Sequence, residues 1–189
     1  MRLLAVLAAF TLAPLFMGDT LQVFAQTQWK LSMAQVSQLF TGVALSGVIA
    51  NTVGGALIKQ LGLQLFTFIA TASTLLFWLG FSSGNVKLAV VCAAVGILGP
   101  ARTLGATTSM TTEGARLGIP QGQLSGDRAN MVAWLKVLGP LVYGKLYLSG
   151  LQAGVPTAPF FFNVALTLAA LLLGPAALSA GAAAGEAKK

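Results

Sequence analysis

Histidine is absent from this 189-residue chain, and cysteine occurs once, at Cys92 inside an apolar run. A single cysteine excludes an intrachain disulfide, and without histidine the usual zinc clusters cannot be assembled. Acids are scarce as well. The four Asp and Glu are spread along the sequence, which speaks against a carboxylate metal cage. Lacking histidine and paired acids, the chain lacks the customary parts for general acid–base catalysis, so neither an enzyme nor a cofactor is expected. Charge of either sign is rare: 8% of residues, against roughly 25% in soluble domains.

What is present points to a bilayer. The chain is 56% hydrophobic with a mean hydropathy of +0.83, and it carries 22 glycines and seven prolines. Both residue types are more frequent in transmembrane helices than in soluble ones. This is the composition of an integral membrane protein. The net charge of +7 raises the question of nucleic acid, but phosphate binding needs a clustered basic patch. Here nine of the eleven Lys and Arg are scattered one at a time among apolar runs and the other two end the tail, as charges that orient a chain in a membrane do. No nucleic-acid partner is expected.

Residues 118–147 organise the reading. They begin as a polar, glycine-rich turn carrying Asp127 and Arg128, then become an apolar run interrupted by Lys136 and by Gly139-Pro140. A membrane helix inside a bundle tolerates such an interruption, because neighbouring helices re-satisfy the freed backbone groups. The rest of the chain divides into further apolar stretches. In order, the expected spans are 3–25, 33–58, 63–81, 88–110, 128–148 and 160–178, each near the roughly 20 residues that cross a bilayer.

The first span follows Arg2 and contains Pro14, Gly18 and Asp19. A basic start, an apolar run and a small residue at Ala25 also fit a signal peptide, though that run exceeds the roughly 7–15 residues usual there. Trp29 and Lys30 suit the membrane interface. In the second span Gly42, Ser46, Gly47, Ala50, Gly54 and Gly55 recur at near-helical spacing, as where two helices approach closely. Asn51 among them reads either as an interhelical hydrogen bond or as a solute contact. The turn at 59–62 is short, so the second and third spans are expected to pair tightly and antiparallel. The third span reads as an ordinary apolar one.

In the fourth span the character changes at Gly96, Gly99, Pro100 and Arg102, where proline invites a kink. Arg102 lies about 15 residues past Lys87, about 22 Å along a helix. It either snorkels to the headgroups or faces the bundle interior as a functional-site candidate. Gly122 and Gly126 stand four apart at the entrance of the fifth span, a weak signal for dimerisation. Lys136 lies about 12 Å beyond Arg128, where an unpaired cation is costly. The Ala/Gly-rich tail, 179–189, is expected to be disordered. Six spans place both termini on one side, and the balance of Lys and Arg makes that side cytoplasmic.

Three stretches carry a resemblance. Gln121-Gly122-Gln123-Leu124, followed by Gly139-Pro140-Leu141, looks like an eleventh transporter helix. The run WKLSMAQVS over 29–37 is similar to the entrance of an eighth helix. Gly55 through Gly62 looks like a degenerate repeat of the GxxxDRxGR loop. Together they resemble the C-terminal six-helix half of a major facilitator superfamily transporter, in the drug:proton antiporter branch that includes the tetracycline-resistance exporters. Lys59 and Gln60 stand where that motif has Asp and Arg, so its charge pair is absent. Gly55 and Gly62 carry over, with close packing and a tight turn as their roles.

The resemblance implies an all-α membrane protein, six helices forming one half of a bundle, with substrate at the midplane between two halves. It implies a small-molecule solute, with protons as the coupling ion, and a partner: a missing N-terminal half or a second half-transporter. The expected cavity-facing set is Asp19, Asn51, Arg102 and Lys136. Asp19, the only acid inside an expected span, is either the proton carrier or a helix-end residue reaching the headgroups. A non-transporting membrane subunit derived from such a half is the alternative.

Overall fold

The computed structural model describes residues 13–186. Residues 3–12 of the first expected span and 187–189 of the tail lie outside it. The described residues are helical, with no strand among them. A 3-10 turn, Ala13–Met17, leads into α1 (Gly18–Thr27). Helices α2 (Met33–Leu61), α3 (Leu63–Ser82) and α4 (Val86–Val95) follow. A second 3-10 turn, Gly99–Ala101, precedes α5 (Arg102–Arg116), α6 (Gln121–Gln152) and α7 (Ala158–Glu186).

Helices α2, α3 and α6 are long and apolar enough to cross a membrane, and α4 with α5 makes a fourth crossing if the two are taken as one bent span. The described residues do not reach six such helices. Among the described residues α1 has 10, and Ala158–Gly174 of α7 makes a shorter apolar helix. Helix α7 also continues to Glu186, through most of the stretch expected to be disordered. Alanine is the best helix former, and its density after residue 175 allows the helix to run on.

Local chemistry sets the boundaries. Ser32 and Gln35 form a capping box at the start of α2: Gln35 Oε1 accepts from the Ser32 amide at 2.9 Å, and Ser32 Oγ from the Gln35 amide. Asn85 caps α4, its Oδ1 accepting from the Lys87 amide at 2.9 Å. Gly62 alone separates α2 from α3, at φ +80°, a left-handed conformation that favours glycine.

Helix α3 is the centre. Half of its most apolar window is buried, against 11% for α2 and for α6. It packs most extensively on α7 and α4, and less on α2 than the short 59–62 turn suggests. The reason is visible in its sequence: Thr67, Thr71 and Thr74 recur on one face and are all buried. Gly105 of α5 sits so close to Thr67 that a β-carbon there would strike its hydroxyl. The third span is therefore the packing axis, not an ordinary apolar one.

The small-residue row of α2 is used in part. A β-carbon on Gly54 would lie 3.0 Å from Leu104 and 3.3 Å from Phe66, and one on Gly47 would lie 3.7 Å from Pro100. Gly42 and Gly55 face open space. Gly55 thus has no close-packing role among the described residues, and Gly54 takes it. Helix α6 continues through Pro140 without the break that Gly139-Pro140 suggests; Gly139 is buried and Pro140 exposed. The chain breaks instead between α4 and α5, which are bent by 57°.

An aromatic core closes one end. Phe24 meets Phe160 edge-on at 4.7 Å, and Phe77 stacks on Phe81 at 4.5 Å. Trp29 Nε1 donates to the Gly84 carbonyl at 2.7 Å, tying together two loops at that end.

Candidate functional site at the α4–α5 break

Glycine and proline create the break. Gly96 ends α4, its amide donating to the Cys92 carbonyl at 2.8 Å. Pro100 lacks an amide to donate, and with Gly96 and Gly99 just before it the chain turns in a 3-10 bend before α5. Beside the break lies a cavity of about 210 Å³. Leu21, Phe40, Phe77 and Ala93 contribute apolar wall, and Thr74, Trp78 and Arg102 contribute polar groups.

Arg102 opens α5 and is 6% exposed. It faces the interior rather than snorkelling to the headgroups. Its Nη1 donates to Thr74 Oγ1 at 3.1 Å. The Thr74 hydroxyl lies 3.0 Å from both the Ala70 and the Gly99 carbonyls, so its one hydrogen is shared between α3 and the break. Thr74 therefore fastens the guanidinium to the central helix. Trp78, one turn further along α3, is 6% exposed. Its Nε1 is the one buried side-chain nitrogen or oxygen among the described residues without a hydrogen-bond partner.

Of the expected set, Arg102 alone lines this cavity. Asp19 is exposed in the first turn of α1, although its neighbour Gly18 lines the cavity. Asn51 is exposed on α2, its Nδ2 donating to the Gly47 carbonyl of its own helix at 2.8 Å. Lys136 is exposed midway along α6. Gln121 and Gly122 are exposed at the start of α6, and a β-carbon on Gly122 or Gly126 would meet nothing within 4 Å.

Sequence reading missed Thr74 and Trp78 as site residues, and it missed a second buried polar group. Tyr143 Oη donates to Asn163 Oδ1 at 2.5 Å, and Asn163 Nδ2 donates to Met17 Sδ at 2.9 Å. This chain joins α6, α7 and the first 3-10 turn. A lone amide within the apolar 160–178 run was the available signal. Tyr143→Phe leaves Asn163 Oδ1 without this donor, in a residue that is 0% exposed. Loss of about 1–3 kcal/mol of stability is expected, read from denaturation in mixed micelles.

Among the described residues no group of His, Cys, Asp and Glu could hold a metal ion. The acid nearest the far end, Glu113, accepts from Arg116 Nε at 2.8 Å within α5. No protein-family model matches the chain, and no curated protein or solved structure matches it either. What the fold and the site define is a class: a helical chain with several helices long and apolar enough to cross a membrane, and a buried cation at the wall of a cavity.

Proposed function

We propose that the chain is one half of a major-facilitator-type secondary transporter, moving a small solute across the membrane by alternating access. The observation that carries this reading is Arg102, buried beside a cavity where a membrane-crossing pair of helices breaks. Irregular backbone at membrane depth is tolerated where it lines a cavity, and transporters place their solute sites at such broken helices. An ionisable residue inside a membrane bundle marks a solute or ion pathway.

Two lightly buried helices support a partner half. Helix α6 leaves Lys136 exposed, and α2 leaves Asn51 and Thr52 exposed. A lysine facing lipid at the bilayer centre costs about 2.5–3.5 kcal/mol or more. A second half seated on α2 and α6 removes that cost, and it would complete a midplane site reached by Asn51 and Lys136. Six helices per half, cytoplasmic termini and proton-driven export belong to the same reading, with Asp19 as the carrier. The placement of Asp19 outside the cavity favours the second reading, a non-transporting membrane subunit.

The test is solute-dependent flux. Purified protein, alone and with its membrane partners retained, is reconstituted into vesicles loaded with a pH-sensitive dye. Transport predicts solute-dependent proton movement that Asp19→Asn diminishes. A crosslinked, helical preparation that moves no solute from a chemically broad panel would make the chain a non-transporting subunit.

A further inference from the structure

We infer that the cavity at the α4–α5 break binds a small, largely apolar organic monoanion, a carboxylate of about the size of benzoate. The inference names the solute class for the proposed transport site and rests on that reading for its part in transport, though not for binding.

Charge comes first. Among the described residues lining the cavity, Arg102 is the only ionisable one. It is the first residue of a 15-residue helix, where backbone partial charges are positive. Guanidinium and helix end therefore act in the same sense, and both favour an anion. An ammonium ligand or a zwitterion would need an acid in the wall, and the described lining residues include none. One cation suits a singly charged ligand better than a phosphate dianion. A guanidinium also matches a carboxylate in shape, since its parallel N–H groups can reach both oxygens.

The second observation is independent of charge. Trp78 lines the same cavity, is 6% exposed, and has an Nε1 with no acceptor among the described residues. Buried donors are nearly always satisfied, and an unsatisfied one needs an explanation. A ligand with acceptor oxygens supplies one. Size and wall complete the class. A cavity of about 150 Å³ lined by aliphatic and aromatic side chains accommodates benzene, and this one measures about 210 Å³. Phe40, Phe77, Leu21 and Ala93 would surround the ligand's body while Arg102 and Trp78 meet its charged end.

The experiment is titration calorimetry on the full chain in lipid nanodiscs with three ligands of one shape: benzoate, benzamide and benzylammonium. Benzoate is expected to bind at least tenfold tighter than either of the others. Arg102→Gln should bring benzoate down to the benzamide level, Arg102→Lys should restore part of the preference, and Trp78→Phe should weaken benzoate several-fold. Helical content by circular dichroism and a retained cooperative unfolding transition show that each variant is folded. Equal binding of all three ligands, or full benzoate affinity in Arg102→Gln, would overturn the inference. Benzoate binding without flux in vesicles upholds the inference and overturns the transport reading alone. Flux of a neutral or cationic solute, with no preference for benzoate, does the reverse.

Discussion

On the transport reading proposed above, Arg102→Met should abolish most solute flux while changing stability far less. The two effects have separate origins. Arg102 is 6% exposed and makes a hydrogen bond to Thr74 Oγ1 at 3.1 Å. A hydrogen bond from a charged group contributes about 1.5–3 kcal/mol. Holding a guanidinium at membrane depth costs a similar or larger amount, about 2.5–3.5 kcal/mol. The substitution removes these opposing terms together, so the net change in stability is expected to be small, and Thr74 keeps its two carbonyl acceptors on α3 and the break. The solute has no such compensation. It loses a charged contact of about 1.5–3 kcal/mol, which is about a 10- to 150-fold fall in benzoate uptake at low concentration. Uptake by proteoliposomes and denaturation of the same preparation measure the two together. If flux and stability fell in proportion, Arg102 would be a structural strut and not a solute contact.

Gly96→Val should lower stability by at least about 3 kcal/mol, the upper end of what overpacking costs. The glycine is not there for its torsion angles: φ is −81°, which any residue adopts. It is there for space. A β-carbon would lie 2.6 Å from the Ser73 carbonyl oxygen and 2.9 Å from that of Cys92. Both obstacles are backbone, so no side-chain rotation relieves the clash, and α4 must move off α3. Because Gly96 also lines the cavity, ligand binding should fall with stability. Gly55→Val, whose β-carbon meets nothing within 4 Å, provides the contrast and should leave denaturation unchanged within about 0.5 kcal/mol. An equal effect at both positions would mean that general helix propensity, not the contact with Ser73, sets the cost.

These two residues show what the sequence made legible. Hydropathy and scarce charge marked an all-helical, membrane-type chain, and Pro100 marked the break, because both signals are local. Arg102 could be singled out by type, but its depth left two orientations open, and only the packing of α3 against α5 turns it inward. The close-approach glycines were sought in the regular small-residue row of α2. Between helices, the tightest contacts fell instead on Gly80, Gly96 and Gly105, each paired with a particular partner: Cys92, Ser73 and Thr67. That pairing is a tertiary fact, and periodicity carries no trace of it. Thr74, Trp78 and Asn163 were overlooked for the same reason. Single polar groups in apolar runs acquire meaning from what lies opposite them.

The loops at the aromatic end have a mechanical consequence. Trp29 is bonded to Gly84, Thr27 Oγ1 lies 2.6 Å from Tyr147 Oη, and Gly84 approaches Thr157. Three helix connections are thus stitched to one another at one face. At the opposite face α2 and α3 share a single-residue link, and a polar groove of about 150 Å³ separates α5 from α6. The bundle resembles a clothes-peg, with a sprung end and a free end. Any rocking of its helices pivots on the aromatic stitches and spreads the groove beside Arg128. Displacement grows with distance from a fixed end, so such motion would widen the groove beside Arg128 more than the cavity at Arg102, whose wall includes Phe77 and Trp78 of the aromatic core.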